Sequence, residues 1–309
     1  MLNKKDNAVA CGNCGFPISQ AALDYKKYRY FVVELSSFQL KGCYKFTPKI
    51  AIVTNIKKAH IDYHKNLQDY YESKFKITKN QTRNDYLILN YDCSNTMSLF
   101  KNSIATKITF SLDNSEADYY LKNNKIYNKE KFIISIKNKN ISEKYNILAS
   151  CAAARLLGLS IKNIKQAISE FKGVKYRMEK IRPNIYNDAK STNIFSTIAA
   201  LKELKSDVFL ICGGYDRNEE LSGLENYLDS INCVFAYGAT KEKIYHYFKL
   251  KKKEVYQFNT LSEAVFSALN LHKNEKILYS PMFASYDQYQ SFEERGKEFN
   301  QIINSYFRK

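Results

Sequence analysis

Residues 30–33, Tyr-Phe-Val-Val, form an unbroken apolar run that stops at a carboxylate, Glu34, followed by two serines in the segment VVELSSFQL. Apolar runs of this kind suit a strand covered on both faces, the situation of a parallel sheet flanked by helices. Glu34 then falls at the carboxyl end of the strand, where open α/β sheets bind their ligands. Taken alone, that carboxylate could equally be a strand-end glutamate pointing at water.

The rest of the chain repeats the pattern. YRYFVVEL, KIAIVTNI and DYLILNYD read as strands, and NLQDYYESKFKITKN between the last two has helical spacing, with Leu67, Tyr70, Tyr71, Lys74 and Ile77 on one side. KITFSLD, IYNKE and KFIISIKN suggest a short antiparallel elaboration, followed by helices NILASCAAARLLG, ended by Gly158, and IKNIKQAISEF. Beyond about Gly173 the alternation resumes, with VFLICGG, CVFAYG and KILYSP as buried-strand candidates. Strands alternating with helices predict βαβ units, hence an α/β fold with mostly parallel sheets. Two domains are expected, 1–173 and 174–309. At 309 residues the chain is long enough for both.

Several classes of function are set aside by composition. No apolar run approaches the roughly 18–20 residues that a membrane span needs, and MLNKKDNAVACG has no signal-like core. Seven scattered cysteines do not make a disulfide framework, so a reducing cytoplasm is the expected setting. The net charge of +17 would suit nucleic acid, but the lysines are dispersed in short KK and KKK pieces rather than gathered in one stripe. Compositional drift toward Lys, Asn, Ile and Tyr throughout the chain is the more economical reading of the charge, which would still weakly favour an anionic substrate.

Individual motifs are modest. CGNCG at 11–15 contains a C-x-x-C without a second pair at zinc spacing; its interest is Asn13 between glycines, where backbone can approach a ligand closely. His60 follows the strand KIAIVTNI within KKAHIDYH, and Lys74 lies fourteen residues later on a half-apolar stripe. A lysine there usually snorkels to water; if desolvated, its pKa falls and its amine becomes reactive. Arg177 in YRMEKI precedes NDAKSTN, which places Asp188 and Lys190 just before a helix whose first-turn amides could hold an anion. CGGYDR and SPMFASYDQYQSFEERG complete the set.

In this order GNCG, ELSSFQL, TNIKKAHIDYH, YYESK, KYRME, NDAKSTN, GGYDR, SPMFASYDQ and FEERG resemble the Mur ligases, in particular their D-glutamate-adding branch. The resemblance runs from about residue 8 to the C-terminus. It implies a Mur-type central ATP-binding domain followed by a Rossmann-like domain. The implied activity is ATP-dependent formation of an amide between UDP-N-acetylmuramoyl-L-alanine and D-glutamate, through an acyl phosphate, in peptidoglycan synthesis. ATP and Mg²⁺ are the implied cofactors. By resemblance, Glu34, His60 and a carbamylated Lys74 are the catalytic and metal-holding residues. Asn146, Arg177 and Asp188 face ATP. Asn13 and Ser36 lie near the UDP-sugar, whereas Lys190, Thr192, Arg217, Ser285 and Phe292 lie on the D-glutamate side.

Three departures from the family pattern stand out. Ser142 and Glu143 occupy positions where His-Asn is usual, and Arg217 stands for a usual lysine. No G-x-x-x-x-G-K-[ST] phosphate loop occurs. The expectation is that the chain by itself does not turn over ATP, and that a separately encoded N-terminal fragment is a candidate partner. Other readings of the same residues are a folylpolyglutamate synthetase-like ligase and a non-catalytic, partner-binding remnant.

Overall fold

The computed structural model describes residues 1–13, 16–57, 63–129, 131–136 and 139–308. Two compact units emerge, Met1–Lys172 and Gly173–Lys309.

The first unit opens with β1 (Ala8–Gly12), α1 (Ile18–Leu23), β2 (Tyr30–Glu34) and α2 (Ser37–Lys41), and β1 and β2 form a parallel pair. Next come β3 (Ile50–Val53), α3 (Leu67–Phe75), β4 (Tyr86–Asn90), α4 (Ser94–Leu99) and β5 (Thr106–Ser111). A meander follows, β6 (Tyr119–Lys122), β7 (Lys125–Asn128) and β8 (Lys131–Ser135), and then helices α5 (Ile141–Leu156) and α6 (Ile161–Glu170). The six strands β3 to β8 form one sheet in chain order, parallel from β3 to β6 and antiparallel thereafter. α5 buries Leu148, Cys151 and Ala152 against that sheet, beside Phe110 and Ile126. Its start explains one departure noted above. Asn140 caps the helix and Glu143 returns the bond to Asn140, a capping box that gives Glu143 a local structural role.

The second unit comprises β9 (Glu179–Arg182), β10 (Ile185–Asn187), α7 (Ile194–Leu204), β11 (Val208–Gly213), β12 (Ile231–Tyr237), α8 (Lys241–Leu250), β13 (Glu254–Phe258), α9 (Leu261–Leu271), β14 (Lys276–Met282) and α10 (Phe292–Tyr306). The strand order is β13-β12-β11-β14-β10-β9, parallel except for the edge strand β9. Every residue of β11 is buried, as its run VFLICG predicts for a strand covered on both faces. α7 and α8 close one face around Leu210, Val234 and Phe248; α9 and α10 close the other around Phe235, Tyr279 and Phe299. Among the described residues no helix is long and apolar enough to cross a membrane.

One expectation needs correction. The run that reads as a strand buried on both faces, β2, is partly bare: Phe31 is 39% and Val32 51% exposed. Its sheet has only two strands, so no neighbour covers its second edge among the described residues.

The second unit has apolar clusters on both faces of its own sheet. Residues 173–309 expressed alone should therefore unfold in urea in one cooperative transition with a native-like near-UV circular dichroism spectrum. A non-cooperative melt would show that the fragment needs the remainder of the chain.

Candidate functional site

Within the first unit the candidate residues gather at the carboxyl ends of β1 and β2. The Asn13 backbone N–H donates to the Glu34 carbonyl at 2.8 Å, and its side-chain amide donates to Glu34 Oε1 at 3.3 Å. This approach depends on Gly12, whose φ is +114° and whose added Cβ would lie 2.2 Å from the Glu34 carbonyl oxygen. Asn13 and Glu34 are thus brought together by the close pairing of two strand ends. Ser36, two residues on, is the N-cap of α2; its hydroxyl accepts from the Gln39 N–H at 3.2 Å in a second capping box.

Lys74 sits in the last turn of α3, half-buried, with Nζ 5.8 Å from the centre of the Tyr70 ring. Loss of hydration pushes its pKa below the usual lysine range, and the negative charge of Glu34 pulls it partly back. That coupling puts Glu34 and Lys74 in one electrostatic neighbourhood. A lysine so placed carries more free amine near neutral pH than a surface lysine, which is the form that attacks electrophiles such as CO₂.

The helix bearing Lys74 is tied to the segment bearing Glu34 by groups that sequence reasoning passed over. His64 is buried, its Nε2 2.9 Å from Ser37 Oγ and its ring stacked on Phe38. Its Nδ1 lies 3.4 Å from Asp69 Oδ2, an ion-pair distance that falls short of a well-formed hydrogen bond. Asp69 also accepts from Lys41 Nζ at 2.6 Å and from the Lys65 N–H at 3.1 Å, and these bonds hold its carboxyl below the ordinary range. The second histidine of HIDYH was the available signal, but spacing alone does not separate it from His60. His60 itself, with residues 58–62, lies outside the described residues, as do Cys14 and Gly15 of CGNCG. Among the described residues no group of three or more His, Cys, Asp or Glu side chains could hold a metal ion. The described donor set is the exposed Glu34 carboxylate, which suits a hard cation and whose charge is felt at the Lys74 amine. Asn146 is exposed on α5.

In the second unit the loops after β10, β11 and β14 carry the remaining candidates. Asp188 is fully buried and its oxygens are engaged: Ser280 Oγ donates at 2.9 Å, the Met178 N–H at 3.1 Å, and Ser191 Oγ donates as well. Arg177 Nη1 lies 3.4 Å from Asp188 Oδ1 and donates to Ser191 Oγ at 2.8 Å. Burial pushes the Asp188 pKa up while Arg177 draws it down. In this geometry Asp188 fixes Arg177 and the strand ends, with no oxygen turned to solvent. The flanking residues Tyr176 and Met178 have φ of +59° and +47°, a strained stretch held in place by these bonds.

Lys190 Nζ stands 4.6 Å above the Phe292 ring, and the Arg217 guanidinium 5.3 Å from the Tyr286 ring. Thr192 is half-buried and Ser285 buried on the same loops. The loops are joined from beneath by Arg295, which is fully buried and donates through Nη2 to the carbonyls of Ala189 (3.1 Å) and Phe283 (2.9 Å). The antiparallel bridge Tyr215–Ala284 adds a second link. Lys190 and Phe292, far apart in sequence, therefore share one surface, and Arg217 and Ser285 lie on loops bridged to each other. Tyr286 and Arg295 carried no signal beyond their place in SPMFASYDQYQSFEERG.

Comparison with known proteins bears on both units. Residues 8–156 match the Mur ligase middle domain. The chain is 36% identical over 303 residues to the UDP-N-acetylmuramoylalanine–D-glutamate ligase of Oenococcus oeni, covering 95% of this chain and 69% of that protein. It is likewise 36% identical over 297 residues to the enzyme of the same name from Staphylococcus aureus, covering 93% of this chain and 66% of that one. The chain thus spans about two thirds of the length of these relatives. Among solved structures it resembles the MurF ligase of Thermotoga maritima in complex with ADP, with a TM-score of 0.73, 15% identity and 98% of this chain and 75% of that one covered. MurF from Acinetobacter baumannii gives a TM-score of 0.72 at 16% identity, with 96% and 72% covered.

Two consequences can be measured by competitive labelling with an amine reagent across a pH series. Lys74 should react at lower pH than the exposed lysines, because its pKa is depressed. Glu34→Gln should move that onset lower still, since it removes the charge that favours the ammonium form. An unchanged onset in Glu34→Gln would separate the two side chains electrostatically.

Proposed function

The chain belongs to the Mur ligase family, and from that premise we propose that it joins D-glutamate to UDP-N-acetylmuramoyl-L-alanine at the expense of ATP. The observation that carries this reading is the 36% identity to a D-glutamate ligase over 95% of the chain, which takes in both units. We assign residues 1–173 to the central, ATP-binding domain and 174–309 to the C-terminal domain of such a ligase. On this reading the chain works in the cytoplasm, and its strong positive charge favours three anionic substrates.

A carboxylate resists attack by an amine at neutral pH. Attack of an oxygen of the L-alanine carboxylate on the γ-phosphorus of ATP breaks its bond to the bridging oxygen, releasing ADP and giving an acyl phosphate. The neutral D-glutamate amine then attacks the carbonyl carbon and loses a proton, the carbon–oxygen bond to phosphate breaks, and phosphate leaves with that oxygen to give the amide. The protein's share is positioning and charge neutralisation. Mg²⁺, when bound, neutralises charge on the phosphate oxygens. Glu34 would hold it, with His60 and with Lys74 once its free amine has taken up CO₂ as a carbamate. The depressed pKa of Lys74 supports that role, because only the neutral amine adds CO₂.

Asn13 and Ser36 would face the UDP-sugar, and Asn146 and Arg177 the nucleotide, with buried Asp188 keeping Arg177 in place. On the amino-acid side, Lys190, Thr192, Arg217 and Ser285 would receive the carboxylates of D-glutamate while Phe292 covers its methylene groups. The closeness of Lys190 to Phe292 supports a pocket that is cationic on one wall and apolar on the other.

The reading is tested with a chimera in which the N-terminal part of the Oenococcus oeni relative is fused ahead of this chain, assayed by mass spectrometry for the ATP-dependent amide product. Product is expected; a folded chimera that binds the substrates and forms none would refute the assignment. In that chimera Lys74→Ala should lower turnover by on the order of 10²–10³-fold, with partial recovery on adding formate or acetate. Phe292→Ala should raise the KM for D-glutamate roughly tenfold while leaving that for ATP nearly unchanged, the loss expected when an apolar cover of about 1.5 kcal/mol is removed. Equal effects on both substrates would misplace Phe292.

A further inference from the structure

The second unit has two unlike ends. Its sheet is parallel from β13 to β10, so α7, α8, α9 and α10 each carry the chain from the carboxyl edge back to the amino edge. Lys190, Arg217 and Ser285 stand on loops at the carboxyl edge; all four helices finish at the other. Their endings are alike in composition. α7 ends at Lys205, α8 runs into Lys249-Leu250-Lys251-Lys252, α9 into Leu271-His272-Lys273, and α10 into Phe307-Arg308. Hydrogen bonds tie these ends to one another and to the strand starts. Lys253 Nζ donates to the Ile231 carbonyl at 3.1 Å, and Lys276 Nζ to those of Leu204 and Ser206 at 2.8 and 3.0 Å. Tyr306 Oη donates to Asn270 Oδ1 at 3.3 Å.

Part of this pattern has a local cause. A cation at a helix C-terminus is favoured by the helix dipole, which accounts for the lysines. It does not account for the apolar side chains among them: Leu250 is 82%, Phe307 49% and Leu271 45% exposed. Lys249, Lys251 and Lys252 flank Leu250 and are exposed too, as are Lys205, Lys273 and Arg308. Of the carboxylates on this edge, Asp207, Glu225, Glu254 and Glu275 each accept a bond from Ser206, Lys251, Tyr256 and Lys273 respectively. They are already engaged within the chain, and the edge remains basic.

We propose that this edge rests on the surface of an anionic lipid bilayer, with Leu250, Leu271 and Phe307 entering the headgroup layer and the surrounding lysines and Arg308 meeting lipid phosphates. The shape of the patch favours this occupant. Leu250 ends a helix of the layer that covers one face of the sheet, whereas Leu271 and Phe307 end helices of the layer on the other face. A partner that meets both layers is broad and flat, unlike a peptide lying along one of them. Nucleic acid would use the same cations, but its bases stack on aromatic rings, and two of these three side chains are leucines. Basic residues beside exposed apolar ones are the combination that holds proteins on anionic membranes, each contribution being small alone. In this orientation the carboxyl edge of the second sheet, with Lys190 and Arg217, opens away from the lipid. The proposal concerns attachment to a surface and stands whether or not the catalytic assignment does.

The full 309-residue chain is sedimented with vesicles of phosphatidylcholine alone or containing about one third phosphatidylglycerol. Sedimentation is expected only with the anionic vesicles, and should weaken as salt is raised. Replacing Lys249→Glu and Lys252→Glu together should lower the affinity by about tenfold or more. The chain contains no tryptophan, so Leu250→Trp supplies a single fluorophore without changing charge. Its emission should shift to the blue on the anionic vesicles, while that of Tyr215→Trp, on a loop at the opposite edge, should stay where it is. No binding to the anionic vesicles, equal binding to the neutral ones, or an unshifted emission from Leu250→Trp would each overturn the proposal. Tighter binding of a single-stranded oligonucleotide, lost in the same double lysine variant, would assign the edge to nucleic acid instead.

Discussion

Parallel strand pairing sets where the loops of both units gather. Parallel strands must be joined by crossovers, so every strand of such a sheet ends at the same edge and the loops leaving it converge. Glu34 and Asn13 meet because β1 and β2 run in register, Gly12 opposite Glu34. Arg217, Ser285 and Lys190 stand on loops that leave adjacent strands, because β11, β14 and β10 lie side by side in the second sheet. Neither grouping is encoded by proximity in the chain. Each follows from backbone hydrogen bonding, with side chains selected for what the shared edge can do.

Buried charge then makes the edges rigid. Asp188 is held by Arg177, Ser191, Ser280 and a backbone amide, and Arg295 links two loop carbonyls from within the core. Breaking such a set is costly, because each remaining member is left unsatisfied away from water. On the other unit the cost falls on Lys74, whose lost hydration is visible as a lowered pKa. A lysine that is expensive to keep charged is chemically useful when its neutral form is wanted.

Much of this was legible beforehand, and the reasons differ by element. β11 and β12 were plain because continuous apolar runs have one economical environment, burial on both faces, and they found it. β6 was missed: Tyr119–Lys122 is short and mixed, and only its pairing with β5 and β7 makes it a strand. The run at 30–33 marks a strand but not its covering, which is supplied by neighbours that no local pattern records. Glu34 and Lys74 stand as candidates from their order in the chain alone. The roles of His64, Asp69 and Arg295 could not be read there, because each depends on contacts made across the fold.

An acyl phosphate in the proposed reaction can be followed by isotope. UDP-N-acetylmuramoyl-L-alanine carrying ¹⁸O in both oxygens of its alanine carboxylate is supplied with ATP and D-glutamate to the chimera described above. One ¹⁸O is expected in each molecule of inorganic phosphate released, because the carboxylate oxygen that attacks phosphorus leaves with it. Phosphate free of label, with amide product still formed, would contradict it.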